Sequence, residues 1–393
     1  MIKIKNKIGA AFYRAWEHFS PTTSERFQAF DLRMFLNNEM DPQFPWKKYL
    51  KKKNEYFQKW GFSVSQLDAE YYSHVSGIRA NHYVTRSMAV HYIYPFLDRY
   101  DFLPAYMDKN AQKFFLSLPD PTVGIEMPKT IICNNNGIFF DGNDNECSED
   151  DALDILVSNG EDTILKPSVE SYGGHGIIKV SCETTIEQYK KLFEKYRYNF
   201  IFQKIIKQHP ILAQYNSTSV NTIRIVTYRD FNKARKVLYA CLRFGGEGSV
   251  MDNVCSGGGF TGINIKTGKL SDRKRHTYFQ MESPLLSELM PNEIPSWDKM
   301  VKSALFLHGR LPQLNIVGWD FTLTPEGKVV LIEFNPRPGV GLQRAVGPMF
   351  CKEDLDEIMT HIATPKATYH PFPVIRFSDF PERKTVLLKF LSM

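Results

Sequence analysis

Residues 318–339 read GWDFTLTPEGKVVLIEFNPRPG, and the polar residues in this greasy stretch decide the fold. Two β-like runs, GWDFTLT and KVVLIEF, flank the turn-forming TPEG, which is the pattern of a β-hairpin. With an even loop centred on Glu326 and Gly327, Asp320 falls opposite Glu333. Side chains alternate along a strand, so Trp319, Phe321 and Leu323 then share a face with Val330, Ile332 and Phe334. Asp320 and Thr322 share the other with Leu331, Glu333 and Asn335. A three-residue loop would instead set Ile332 against Asp320 and mix the faces, so the hydrophobic pattern predicts the even register. Two carboxylates and an amide converge, an oxygen-rich set that suits a hard divalent ion such as Mg2+; a wet outer sheet face is the alternative.

The 393 residues carry a net charge of +6, with 43% hydrophobic and 23% charged residues, as in an ordinary water-soluble globular chain. That length suits two or three domains. No zinc-finger, recognition-helix or RNP pattern occurs, so no nucleic-acid partner is expected. No run approaches the length of a membrane span, and the N-terminus does not read as a signal peptide. The 6 cysteines form no C-x-x-C pair, consistent with reduced thiols in a cytoplasmic protein. Ile4, Ile8, Phe12, Trp16 and Phe19 mark one face of a basic N-terminal helix. Packing on the chain itself or peripheral association with an anionic membrane would both use it.

Residues 1–107 read as a mainly helical region, in which KKYLKKKNEYFQKW is a solvated face. From there on, short β-like runs (PKTIIC, GIFFDG, DTILKPS, HGIIKVS, NFIFQKII, TIRIVTY, KVLYACLRF) alternate with helical segments such as SEDDALDILVSN, with Ser148 as its N-cap. The mixture is α+β, with sheets too antiparallel for a Rossmann fold. In DTILKPSVESYGGHGIIKVS, residues 162–181, a strand ends in Lys166 and a Gly-rich turn follows. Glycines admit backbone N–H groups close to an anion and lysine supplies a point charge; an ordinary flexible turn has the same composition. No Walker A sequence occurs. FIFQKIIKQHP, residues 200–210, reads as a connector able to offer backbone groups to a purine, and His209 as a cap or packing residue.

A strand-borne lysine, a Gly-rich hairpin, a Q-x-x-I linker and a closing D-x12-E-x-N together resemble the ATP-grasp superfamily. SVNTIRIVTY, CLRFGGEGSVMDNVCSGGG, the QHP linker and GWDF with LIEFNPRPG are similar to its sugar-transfer-associated branch. The resemblance runs from about Asp108 to about residue 350. It implies two α+β lobes clasping ATP, residues 108–202 and 203–365, with a tail over 366–393. It further implies that Lys129 and Lys166 contact the phosphates, that Ser171, Gly173, Gly174 and Gly176 form the lid, and that Gln203, Lys204 and Ile206 lie beside adenine. Asp320, Glu333 and Asn335 would hold one or two Mg2+.

The reaction so implied is a ligase reaction through an acylphosphate on a small-molecule or glycan substrate, a phosphotransferase or a non-catalytic nucleotide-binding regulator being the alternatives. Many such ligases place Arg two residues before the Asp, where this chain has Gly318. Arg224, Arg243 and Arg337 are the replacement cations the sequence offers. Arg224 and Arg243 lie in apolar strands, where a guanidinium needs an anionic partner, whether an internal carboxylate or a ligand. Asn221, Asp252, Asn253, Gly257 and Gly258 are the acceptor-side candidates, with an irregular loop as the other reading.

Overall fold

The computed structural model describes residues 44–120, 124–169, 176–245, 258–271, 275–276 and 293–364. The helix expected over Ile4 to Phe19 and the tail expected over 366–393 lie outside these residues. Among the described residues, twelve strands form two six-stranded sheets, and every ladder within them is antiparallel. This is the α+β architecture expected, because parallel ladders need long crossovers that the short strand spacing leaves no room for.

The first sheet has the order β3-β2-β1-β6-β4-β5, built from β1 (Thr130–Asn135), β2 (Ile138–Asp141), β3 (Glu146–Cys147), β4 (Thr163–Pro167), β5 (Ile178–Val180) and β6 (Phe200–Lys204). The helices Glu149–Ser158 and Ile186–Tyr196 cover it, burying Leu153, Leu156 and Phe193 against Ile132, Leu165, Phe200 and Phe202. Ser148 and Thr185 start these helices with capping boxes, each side chain accepting from the third helical N–H while Asp151 or Gln188 reaches back. β6 ends at Lys204, so the sheet runs two residues past position 202.

The second sheet has the order β10-β9-β8-β7-β11-β12, with β7 (Thr222–Arg229), β8 (Arg235–Phe244), β9 (Gly259–Ile263), β10 (Arg275–His276), β11 (Ile316–Leu323) and β12 (Val329–Asn335). Its two faces are covered differently. The helix Trp297–His308 seals one face, placing Met300, Ala304 and Leu307 on Ile223, Ile225, Trp319 and Phe321. On the other face, helices between residues 55 and 97, together with Lys352–Ala363, cover only the end that carries Val226, Tyr228, Tyr239 and Ile316. The far end of this face, with Arg224 and Asp320, forms the site.

The hairpin corrects one expectation and explains another. Thr324 N–H bonds to Lys328 C=O at 2.9 Å and Gly327 takes φ 76°, so Pro325, Glu326 and Gly327 form a three-residue loop rather than an even one. Leu323 pairs with Val329 and Phe321 with Leu331, yet Asp320 still pairs with Glu333, because a β-bulge at Ile332 absorbs one residue. Val329 and Leu331, not Val330 and Ile332, therefore join Trp319, Phe321, Leu323 and Phe334 in the core. The bulge switches β12 by one face, which turns Glu333 and Asn335 outward just where the apolar run ends.

Candidate active site

Directly opposed residues in a sheet share a face, and the registers place a row Glu333–Asp320–Arg224–Cys241 across β12, β11, β7 and β8. Arg224 meets Asp320 with two parallel bonds, Nε to Oδ1 and Nη2 to Oδ2, the second at 2.5 Å. Arg243 adds Nη1 to the same Oδ2 at 3.2 Å. Asn335 donates Nδ2 to Asp320 at 3.3 Å and to Glu333 at 3.4 Å. The adjacent row is Asn335–Gly318–Val226, and Arg224 runs across the gap that Gly318 leaves. A Cβ at 318 would lie 3.3 Å from Arg224 Cδ and 3.1 Å from Pro338 Cβ. The space where an arginine at 318 would start is therefore occupied by Arg224 from the next strand.

Glu333 is the accessible member: its side chain is 25% exposed against 4% for Asp320. Burial would raise its pKa, but Lys109, Lys166, Arg224 and Arg243 hold it down at about 2. Lys109 pairs with it at 3.4 Å. Lys166, at the end of β4 in the other sheet, is buried, and burial together with the like charge of Lys109 lowers its pKa to about 8 against the opposing pull of Glu333. Lys109 and Lys166 thus both face Glu333 of the second sheet.

Lys109 is the residue that sequence reading missed. It opens the helix Lys109–Leu116, whose N-cap Asp108 accepts from Asn110 N–H at 2.9 Å. A lysine at the positive end of a helix is electrostatically misplaced, and that oddity was the available signal. Gln112, one turn on, holds the helix against β12 by donating to Phe334 C=O at 2.8 Å and accepting from Phe334 N–H at 3.1 Å. It acts as a substitute neighbour for an edge strand.

The other expected positions divide. Gly176 takes φ 77° and packs under Pro167, where a Cβ would stand 2.9 Å from the ring, so the described end of the Gly-rich turn is fixed beside Lys166. Ser171, Gly173, Gly174, Asp252, Asn253 and Gly257 lie outside the described residues. Gly258 is buried just before β9. Lys129 is exposed, with its carbonyl accepting from Lys204 N–H at 2.9 Å. Gln203 is buried and bonds to Pro128 C=O at 3.3 Å, and Ile206 is half-buried in the connector.

Lys204, Asn221 and Arg337 have partners within the chain. The Lys204 ammonium pairs with Glu161 at 2.5 Å on the surface. Asn221 is fully buried and spends its amide on Leu212 C=O at 2.6 Å and Asn216 C=O at 2.8 Å, so it ties a loop. Arg337 lies 4.0 Å from Met107 Sδ, and its charge acts on buried Asp98. His209 caps the helix Pro210–Ala213, accepting from Ile211 N–H at 3.2 Å.

The family model for sugar-transfer associated ATP-grasp proteins matches residues 88–358. The chain belongs to that family. The match spans the cleft residues Lys109, Lys166, Arg224, Arg243, Asp320 and Glu333 of this ATP-grasp chain, together with the last helices of the N-terminal region. No curated protein matches it. Among solved structures, the VanG D-Ala:D-Ser ligase from Enterococcus faecalis is 14% identical with a TM-score of 0.40, covering 66% of this chain and 62% of that one. The biotin carboxylase domain of Hydrogenobacter thermophilus 2-oxoglutarate carboxylase, in complex with MgADP and bicarbonate, is 13% identical with a TM-score of 0.40, covering 68% and 47%. N5-carboxyaminoimidazole synthetase from Staphylococcus aureus, complexed with ADP, is 13% identical with a TM-score of 0.36, covering 60% and 46%. This chain therefore spans less than two thirds of each of these proteins, and the family assignment rests on the family match alone. Among the described residues, no helix is long and apolar enough to cross a membrane.

Proposed function

We propose that this ATP-grasp chain is an ATP- and Mg2+-dependent ligase, joining a carboxylate to an amine or thiol in cell-surface polysaccharide or related glycan metabolism in the cytoplasm. The observation that carries it is the meeting of Lys109 and Lys166 with Glu333, the partner of Asp320 across β11 and β12. Paired lysines suit a polyphosphate, and facing carboxylates with an amide supply the oxygen donors of a hard cation. The sugar-transfer description of the family supports the choice of pathway.

In the reaction, a carboxylate oxygen of the substrate attacks the γ-phosphorus, ADP departs with the bridging oxygen, and the amine then displaces phosphate from the acylphosphate. The chain's part is alignment and charge neutralisation. Lys166 and Lys109 hold phosphate oxygens, and Arg224 and Arg243 balance charge at the acceptor side. Asp320, Glu333 and Asn335 would hold Mg2+, which when bound neutralises phosphate charge.

Incubation with Mg-ATP and a panel of sugar acids, sugars and amino acids, followed by ADP, phosphate and product mass, tests the proposal. ADP with free phosphate and a condensed product is expected. Phosphate retained on the product would replace ligation with phosphotransfer, and the absence of ADP with every substrate would leave a nucleotide-binding regulator.

A further inference from the structure

Asp320 is the most heavily engaged carboxylate of the site. Arg224 closes on both its oxygens, Arg243 reaches Oδ2 at 3.2 Å and Asn335 the same atom at 3.3 Å. A metal ion needs lone pairs and negative charge from its ligand, and two guanidinium groups already claim both. Among the described residues, Lys109, Lys166, Arg224 and Arg243 act on Glu333 beside Asp320, four positive side chains against two carboxylates, a surplus of two. A bare divalent cation approaching this cluster meets net repulsion. A polyphosphate reverses the sign and gives the guanidinium groups another acceptor.

We propose that Arg224 and Arg243 form a latch on Asp320 that keeps a divalent cation out until a polyphosphate arrives, with Gly318 as the positioning residue that lets Arg224 close. The latch rests on the reading of the cleft as an Mg-ATP site. Gly318 belongs to it because Arg224 crosses its open face: the 3.3 Å from an added Cβ to Arg224 Cδ and 3.1 Å to Pro338 Cβ are both inside comfortable carbon contact. Buried Pro338 cannot yield, so a side chain at 318 displaces Arg224. Arg243 is the weaker arm, since it reaches Asp320 with one bond where Arg224 reaches it with two.

The test uses the full chain and Mn2+ as a probe read by electron paramagnetic resonance, with and without saturating ADP. The wild-type chain is expected to hold Mn2+ with ADP and to bind it at least about tenfold more weakly alone, one charge at close range being worth that much. Arg243→Gln keeps the Arg224 pair, and therefore the fold, and should bind Mn2+ without nucleotide about tenfold more tightly than wild type. Gly318→Ala, checked for native circular dichroism, should shift affinity the same way. Equal affinity of wild type and Arg243→Gln for Mn2+ alone would overturn the latch while leaving the nucleotide site standing. Failure of wild type to bind Mn2+ even with ADP would overturn the Mg-ATP reading and the latch with it.

Discussion

Lys166 is sealed at the end of β4, where burial and Lys109 pull its pKa to about 8. Its folded value lies below its unfolded one, so protonation opposes folding; this cost is present below about 8 and fades as pH rises towards 10.5. The charge survives at neutral pH because Glu333 faces it. ADP affinity should therefore fall as pH rises through about 8, by at most about tenfold per unit, since one proton is linked. Lys166→Met should weaken ADP binding and flatten that limb; an unchanged profile in titration calorimetry would exclude Lys166 from the phosphate site. Glu333 behaves oppositely. Its folded value of about 2 lies below the unfolded 4.5, so its contribution is complete above 4.5 and is lost as pH falls towards 2. Glu333→Gln should lower turnover on the order of 10²–10³-fold, leave circular dichroism intact and lessen acid sensitivity between those pH values. A fully active variant would refute its role.

At the scale of elements, β12 and the helix Lys109–Leu116 set the geometry. The pairing of Asp320 with Glu333 was reached from hydrophobic alternation through an even loop, which the structure replaces with a three-residue loop and a bulge. TPEG admits either loop, and only the bulge at Ile332 reconciles a three-residue turn with opposed carboxylates. A bulge costs the ladder one residue and leaves little mark in composition. The helix was invisible as a site element for another reason: it reaches Glu333 through Gln112, whose bonds to the Phe334 backbone span 222 positions. Gln112→Ala leaves a buried N–H and a buried C=O without this partner. It should cost about 2–4 kcal/mol in urea denaturation and also weaken ADP binding, because Lys109 moves with the helix. Loss of stability with unchanged ADP affinity would show that Lys109 is placed by other means.

Across the whole molecule, the N-terminal helical region is part of the second lobe's packing. Tyr56, Phe57, Met88 and Ile93 bury against Val226, Tyr228 and Ile316. Gln343 ties Val84 by accepting from its N–H at 3.1 Å and donating to its C=O at 2.8 Å. Tyr94 donates to Pro338 C=O beside the site. Each buried aliphatic or aromatic side chain uncovered forfeits about 1.5–3 kcal/mol. A chain lacking residues 1–107 should therefore aggregate or bind the dye ANS with a non-cooperative melt. A monodisperse, cooperatively melting truncation would show the lobe to be self-sufficient.

The sequence by itself determined the α+β class, the strands other than β3, β9 and β10, and the Ser148-capped helix, because these depend on periodicity and on residues close along the chain; the opposition of Asp320 to Glu333 needed the bulge as well. Tertiary structure decided who meets whom. Arg224 and Arg243 both converge on Asp320, Lys109 arrives from the far side of Glu333, and Asn221, Lys204 and Arg337 turn to other partners. A charged side chain's partner depends on which strands become neighbours, and that is set by the packing of two sheets rather than by local pattern. Gly318 shows the division most clearly. In sequence it is a missing arginine; in the fold it is the space through which Arg224 passes.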